Sequence, residues 1–147
     1  MEKDLIELLD DLKKINYDEK LDDVLNAHVL KLAYVGDTIF DLFTRNYLVK
    51  KYADTIKIGD LHKKNSDLVC AKSQSKISDY LVDNVFTEEE VDFFKHARNA
   101  HSNSKSKNSS IVEYRKATGL EATLGLLFYK DGKRLVKVLD KIAAILE

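Results

Sequence analysis

Leu32-Ala33-Tyr34-Val35-Gly36-Asp37-Thr38-Ile39-Phe40-Asp41 places a glycine and a carboxylate side by side inside an apolar run. The run lies within a longer segment, from about Asn26 to Lys51, whose apolar residues recur with helical spacing. Leu30, Leu32, Tyr34, Val35, Ile39, Phe40, Leu42, Phe43 and Tyr47 cover most of its circumference. Such a helix is expected to be central and buried. Asp37 is then out of place, because burying a carboxylate is costly unless it is paired, hydrogen-bonded or bound to a cation. Its helical neighbours three and four residues away are Ala33, Tyr34, Phe40 and Asp41, so no base on its own helix answers it. Asp41 adds like-charge repulsion.

A second stretch has the same peculiarity. Tyr114-Arg115-Lys116-Ala117-Thr118-Gly119-Leu120-Glu121-Ala122, followed by Leu124-Gly125, lies in an apolar helical segment from Ile111 to Tyr129. The neighbours of Glu121 at three and four residues are Ala117, Thr118, Leu124 and Gly125. Glycine inside a helix costs roughly 1 kcal/mol relative to alanine, and close approach of two backbones is the usual compensation. If the two segments cross at Gly36, Gly119 and Gly125, Asp37 and Glu121 converge. Two carboxylates without a cation of their own suit a hard divalent metal such as Mg²⁺. The plainer alternative pairs each acid with a distant arginine, such as Arg45 or Arg115. Paired carboxylates also serve glycoside hydrolysis, but the chain has no tryptophan and only 9 % aromatic residues, which does not suggest a sugar cleft.

Outward from these two segments the period stays helical. Leu5, Leu8, Leu9 and Leu12 mark an amphipathic first helix. Gly59-Asp60 is read as a break and cap, and Leu61 to about Val85 as one or two helices. Thr87-Glu88-Glu89-Glu90 is a capping-box pattern opening a helix with Val91, Phe93, Phe94 and Ala97. His101 to Ser110 is low in complexity and rich in Ser and Asn, and is read as a mobile, basic surface loop. Asp131-Gly132 turns the chain into a last amphipathic helix carrying Leu135, Val138, Leu139 and Ile142. The expected fold is all-α, one compact domain over residues 1–147.

Composition agrees. With 147 residues, 44 % apolar and 33 % charged, the chain has enough for one core and a solvated surface. No proline and five glycines leave little punctuation for a β-rich fold. No apolar run approaches the ~18–20 residues that span a bilayer, so no membrane partner is expected. The acidic start does not read as a secretory signal. The single Cys70 excludes an internal disulfide framework, and a cytoplasmic setting is expected. The four histidines form no zinc pair, Cys70 has no nearby histidine, and no glycine-rich phosphate loop is present, so no nucleotide cofactor is expected.

The net charge of −1 conceals segregation. Residues 1–25 hold nine acids against four lysines, and residues 83–92 hold five acids and no base. Residues 95–116 hold six Lys and Arg against Glu113 alone, and residues 57–76 hold five lysines against two aspartates. Basic tracts of this kind allow a local polyanion surface on a chain with no overall basic character.

Taken together these residues are recognisable. The Leu32–Asp41 stretch resembles the signature helix of the ribonuclease III family, and the Tyr114–Gly125 stretch resembles that family's second acidic helix. With Ala33 in the first motif and Tyr114-Arg115 heading the other, the pair is similar to the Mini-ribonuclease III branch. Arg98-Asn99-Ala100 before a polar loop, and Leu61-His62 followed by Val69, Ala71 and Gln74, fit that branch as well. The resemblance runs from about residue 20 to the end. It implies a ribonuclease III-type endonuclease domain of about six to eight helices.

By this resemblance Asp37 and Glu121 are the catalytic acids and metal ligands. The full family pattern has two further glutamates before the glycine-aspartate pair and an aspartate three residues before the second-motif glutamate. Leu30, Ala33 and Thr118 stand at those positions here, which leaves more of the metal's shell to water and phosphate. Asp41 is available for an outer contact. The implied reaction is Mg²⁺-dependent hydrolysis of phosphodiesters in double-stranded RNA, with Mn²⁺ able to substitute. The implied substrate is the precursor of large-subunit (23S) ribosomal RNA. The implied assembly is a homodimer; Phe40, Phe43, Tyr47, Phe93 and Phe94 only marginally exceed what a small core needs, and core packing is the plainer reading of each. RNA contact is expected from Lys72, Gln74, Arg98, Asn99, Lys105, Lys107 and Arg115. No separate double-stranded-RNA-binding domain is expected, so affinity should be modest and salt-sensitive. The competing class is a catalytically silent duplex-RNA-binding or scaffold protein.

Overall fold

The computed structural model describes residues 2–15, 28–100 and 110–147. Among them are seven α-helices and no strand. They are α1 (Glu2–Ile15), α2 (Val29–Lys51), α3 (Ile58–Val69), α4 (Ala71–Asn84), α5 (Glu88–Arg98), α6 (Ile111–Lys130) and α7 (Gly132–Leu146). The all-α expectation holds, and the helix count falls within the expected six to eight. The low-complexity stretch 101–109, with Lys105 and Lys107, lies outside the described residues, as do residues 16–27.

Helix α6 is the centre of the molecule. It packs against α2, α4, α5 and α7. Ala117 to Leu120, Ala122 to Gly125 and Leu127 are buried along it. Phe40 of α2, Ile77 and Leu81 of α4, and Leu135, Val138 and Ile142 of α7 close around Leu120, Leu124 and Leu127. A second cluster joins Leu32 and Ala33 of α2, Ala97 of α5 and Ala122 of α6. Its three alanines leave room for backbones to approach.

The expectation that α2 would be buried all round is corrected here. One side packs on α6, while Tyr34 is 82 % and Leu42 70 % exposed, with Leu30 and Val49 also on the open side. Hydrophobicity reports what prefers to leave water, and cannot tell an interior from an uncovered face. The five aromatic residues weighed between the core and a dimer surface are placed inside or half inside, as the plainer core reading has them. Phe40 and Phe94 belong to the core, and Phe43, Tyr47 and Phe93 are half-buried, with the Tyr47 hydroxyl donating to the Leu146 carbonyl at 3.1 Å.

Helix ends follow capping chemistry more closely than the period suggests. Thr87 and Glu90 form the expected capping box. Ser110 and Glu113 form another, at a position read from sequence only as loop; the Ser-x-x-Glu spacing was the signal for it. Gly59-Asp60 does not break the chain. Helix α3 already begins at Ile58, so Asp60 sits in its first turn, where a carboxylate favours the helix dipole. The break falls at Cys70, whose extended backbone (φ −66°, ψ 155°) separates α3 from α4. Glu90 also receives Arg134 at both carboxylate oxygens, at 2.8 and 2.9 Å, and Arg134 donates on to the Val85 carbonyl. This ties the start of α7 to the α4–α5 connection.

Candidate active site

The site is made where α2 and α6 cross. A Cβ on Gly36 would overlap the carbonyl group of Glu121, and a Cβ on Gly125 would overlap the carbonyl of Leu32. Four residues forward on one helix correspond to four residues back on the other, so the helices run antiparallel with bare backbone at both contacts. Only glycine allows this approach. Gly119 does not take part in it: its α-carbon faces the Phe94 ring on α5. The expected crossing therefore rests on two glycines rather than three.

That crossing brings the carboxyl groups of Asp37 and Glu121 within hydrogen-bonding reach of each other. Asp37 is exposed at the surface end of the pair, and Glu121 is half-buried. Among the described residues neither acid forms an ion pair with a cation. The arginine alternative is not taken. Arg45 pairs with Asp41 at 2.8 Å, and Arg115 is exposed. Asp41 is also turned from the site by Asn65, whose Nδ2 donates to it at 2.7 Å, while Thr44 donates to the Asn65 Oδ1 at 2.6 Å. This network ties α2 to α3 and answers the second negative charge on α2.

Burial and the neighbouring Asp37 carboxyl push the Glu121 pKa up from 4.5 to about 9, while Gln74 acts in the opposite sense. Without a cation, Glu121 therefore holds a proton in the folded chain at neutral pH. The unfolded chain does not. Below about pH 4.5 the group is protonated in both states and costs nothing. From there to about 9, stability falls as pH rises, by up to about 1.4 kcal/mol per unit from this group, and then levels off. The melting temperature of metal-free protein in EDTA is thus expected to fall between pH 6 and pH 8, and Glu121→Gln is expected to flatten that dependence. Mn²⁺ should raise the melting temperature more at pH 8 than at pH 6, because a cation must displace the proton. An unchanged slope in Glu121→Gln would assign the pH dependence elsewhere.

The residues fit a hard divalent ion. The donors are two adjacent carboxylates, with the buried Gln74 amide beside them, and no third His, Cys, Asp or Glu completes a cluster among the described residues. Mg²⁺ commonly keeps several waters and binds through one or two carboxylates plus phosphate. Thr118, at the position where a further acid was absent from the sequence, spends its hydroxyl on the Tyr114 carbonyl of its own helix.

The remaining sequence candidates divide. Gln74 is 3 % exposed and its side chain acts on Glu121, so the structure places it buried beside that acid. Lys72 is exposed near the start of α4, and Arg115 is exposed on α6. Arg98 and Asn99 stand together at the end of α5, with the Arg98 Nε donating to Asn99 at 3.4 Å. Lys105 and Lys107 lie outside the described residues. Among the described residues no helix is long and apolar enough to cross a membrane.

Comparison with known proteins agrees with this geometry. The family model described as the ribonuclease III domain matches residues 30–132, which contain both acidic helices. The chain is 41 % identical over 118 residues to Mini-ribonuclease 3 of Staphylococcus aureus, covering 79 % of this chain and 87 % of that protein. It is 37 % identical over 130 residues to Mini-ribonuclease 3 of Clostridium tetani, covering 85 % and 82 %. The crystal structure of protein FN1578 from Fusobacterium nucleatum superposes with a TM-score of 0.68 at 28 % identity, covering 81 % of this chain and 93 % of that one.

Proposed function

The chain belongs to the ribonuclease III family, in its Mini-ribonuclease 3 branch, and from that premise we propose that it is a double-strand-specific endoribonuclease working at Asp37 and Glu121 with Mg²⁺. The observation that carries the reading is the convergence of these two carboxyl groups, without a protein cation, at a crossing built by glycines. Asp37 and Glu121 would hold the ion. When bound it supplies nucleophilic water near neutral pH and neutralises charge building on the phosphodiester. Asp37, at the exposed end, meets the RNA side of the site, and Glu121 anchors it from within. No side-chain nucleophile is required. Mn²⁺ serves the same donors.

The partner is duplex RNA, with the precursor of 23S ribosomal RNA as the proposed physiological substrate, in the cytoplasm. Lys72, Arg98, Asn99, Lys105, Lys107 and Arg115 supply phosphate and 2′-hydroxyl contacts, since duplex RNA is read mainly through its shape and backbone. The whole chain acts as one catalytic domain. A homodimer is proposed as the working form, supported by the uncovered apolar side of α2, where Tyr34 and Leu30 stand close to Asp37 in sequence. Two-fold symmetry suits a substrate whose strands are related by two-folds.

The test is cleavage of a uniform RNA duplex against its single strands, in Mg²⁺, Mn²⁺ and EDTA. Cutting of the duplex alone, and only with a divalent ion, is expected. Binding without cutting under every condition would favour the silent RNA-binding alternative and end the nuclease reading.

A further inference from the structure

We propose that Gln74 is a positioning residue of the acidic site: its amide nitrogen, anchored on the Val69 carbonyl, braces the Glu121 carboxylate opposite Asp37, and its buried Oε1 accepts a hydrogen bond from water brought by the hydrated cation. This rests on the reading of the two acids as a metal site.

Gln74 stands one turn into α4, just past the extended residue Cys70. Its side chain folds back, and Nε2 donates to the Val69 carbonyl at 2.9 Å. That carbonyl belongs to the last turn of α3, which a helix leaves without an internal partner. The bond fixes which way the amide faces. Turned over, Oε1 would meet the Val69 oxygen, acceptor against acceptor. The second hydrogen of Nε2 is left for Glu121, whose pKa the Gln74 side chain lowers. The backbone is held as well. Ser78 Oγ lies 2.8 Å from the Gln74 carbonyl and 3.3 Å from that of Lys116, so α4 is latched to α6 little more than one turn before Glu121.

With one amide hydrogen on Val69 and the other given by the proposal to Glu121, one atom is left over. Oε1 is buried and has no partner among the described residues. An unmet buried acceptor costs about 1–3 kcal/mol, and buried polar atoms of this kind are usually met by ordered water. Here the neighbouring carboxylates are where a hydrated divalent ion would sit. Loss of a residue that orients a metal ligand in this way typically costs about 10- to 100-fold in metal affinity or activity. A glutamine that merely capped α3 would affect stability and leave metal binding alone.

The experiment measures Mn²⁺ binding to the full chain without RNA, by calorimetry or electron paramagnetic resonance, for wild type and Gln74→Met. The variant keeps the length of the side chain and loses both polar atoms. Roughly 10- to 100-fold weaker Mn²⁺ binding is expected, with kcat lowered and the KM for duplex RNA unchanged at saturating Mn²⁺. Mn²⁺ affinity within twofold of wild type, in a variant that melts cooperatively, overturns the proposal. So does a wild-type chain that takes up no Mn²⁺, because the preassembled site would not exist. Should Gln74→Met fail to fold, Gln74→Asn withdraws the amide by one methylene and is judged by the same two outcomes. A wild type that binds Mn²⁺ through Gln74 but cuts no duplex would defeat the nuclease reading alone. A wild type that cuts duplex RNA while Gln74→Met binds Mn²⁺ equally well would defeat only the role given to Gln74.

Discussion

Asp37→Asn is expected to lower Mg²⁺-dependent cleavage of duplex RNA by about three orders of magnitude or more, while making the pH-dependent fall in stability of the metal-free protein end at a lower pH than in wild type. The two effects have one origin. Asp37 is an anionic donor for the cation, and stabilising transition-state charge through a metal is worth several kcal/mol, with each 1.36 kcal/mol a factor of about ten in rate. Asp37 is also a like charge against Glu121, and is among the causes that raise the Glu121 pKa to about 9. Removing it lets Glu121 ionise at a lower pH, so the fall in stability with rising pH ends sooner. Melting curves in EDTA across the range from pH 6 to pH 9 and initial cleavage rates on one duplex check both halves. Glu121→Gln should act likewise on turnover, with RNA binding in the absence of divalent ions close to wild type. Equal loss of activity and stability in Asp37→Asn would mean that the aspartate serves the fold.

Gly36→Ala is expected to cost about 3 kcal/mol or more, seen as a melting temperature lower by about 10 °C, and to remove cleavage as well. The new methyl would lie on the Glu121 carbonyl. That oxygen is helix backbone in the middle of α6 and cannot swing aside, so the two helices must separate. Separation pulls Glu121 from Asp37, which links the loss of stability to the loss of the site. Gly59→Ala is the control. A Cβ there meets nothing within 4 Å, and its place in the first turn of α3 should yield a gain of up to about 1 kcal/mol from helix propensity. A Gly36→Ala protein as stable as wild type would show that the close crossing is not a requirement of the fold.

Much of the site is legible in the residues alone. Asp37 and Glu121 stand out because each is an acid on an apolar helix without a local base, and Gly36 and Gly125 stand out because glycine inside a helix needs a reason. Both signals are local and need no knowledge of packing. Gln74 is legible as a member of the site but not in its place. One polar residue on α4 reads the same whether it faces RNA or lies beside Glu121, and only the break at Cys70 and the latch through Ser78 to α6 bring it to that acid. Asp41 is hidden for a similar reason. Nothing on its own helix announces Asn65, which comes from α3.

Helical period, capping pairs and uncompensated charges belong to the order of residues along the chain, because each is settled by neighbours within one turn. They suffice for an all-helical domain with two acids awaiting a cation. Which helix lies at the centre was not theirs to settle. α2 and α6 are both apolar nearly all round, and α6 takes the middle because it is the helix that four others can cover at once. α2 keeps an open apolar side as a consequence. Distances between residues far apart in sequence depend on how whole helices stack, and that sum over many contacts has no local trace.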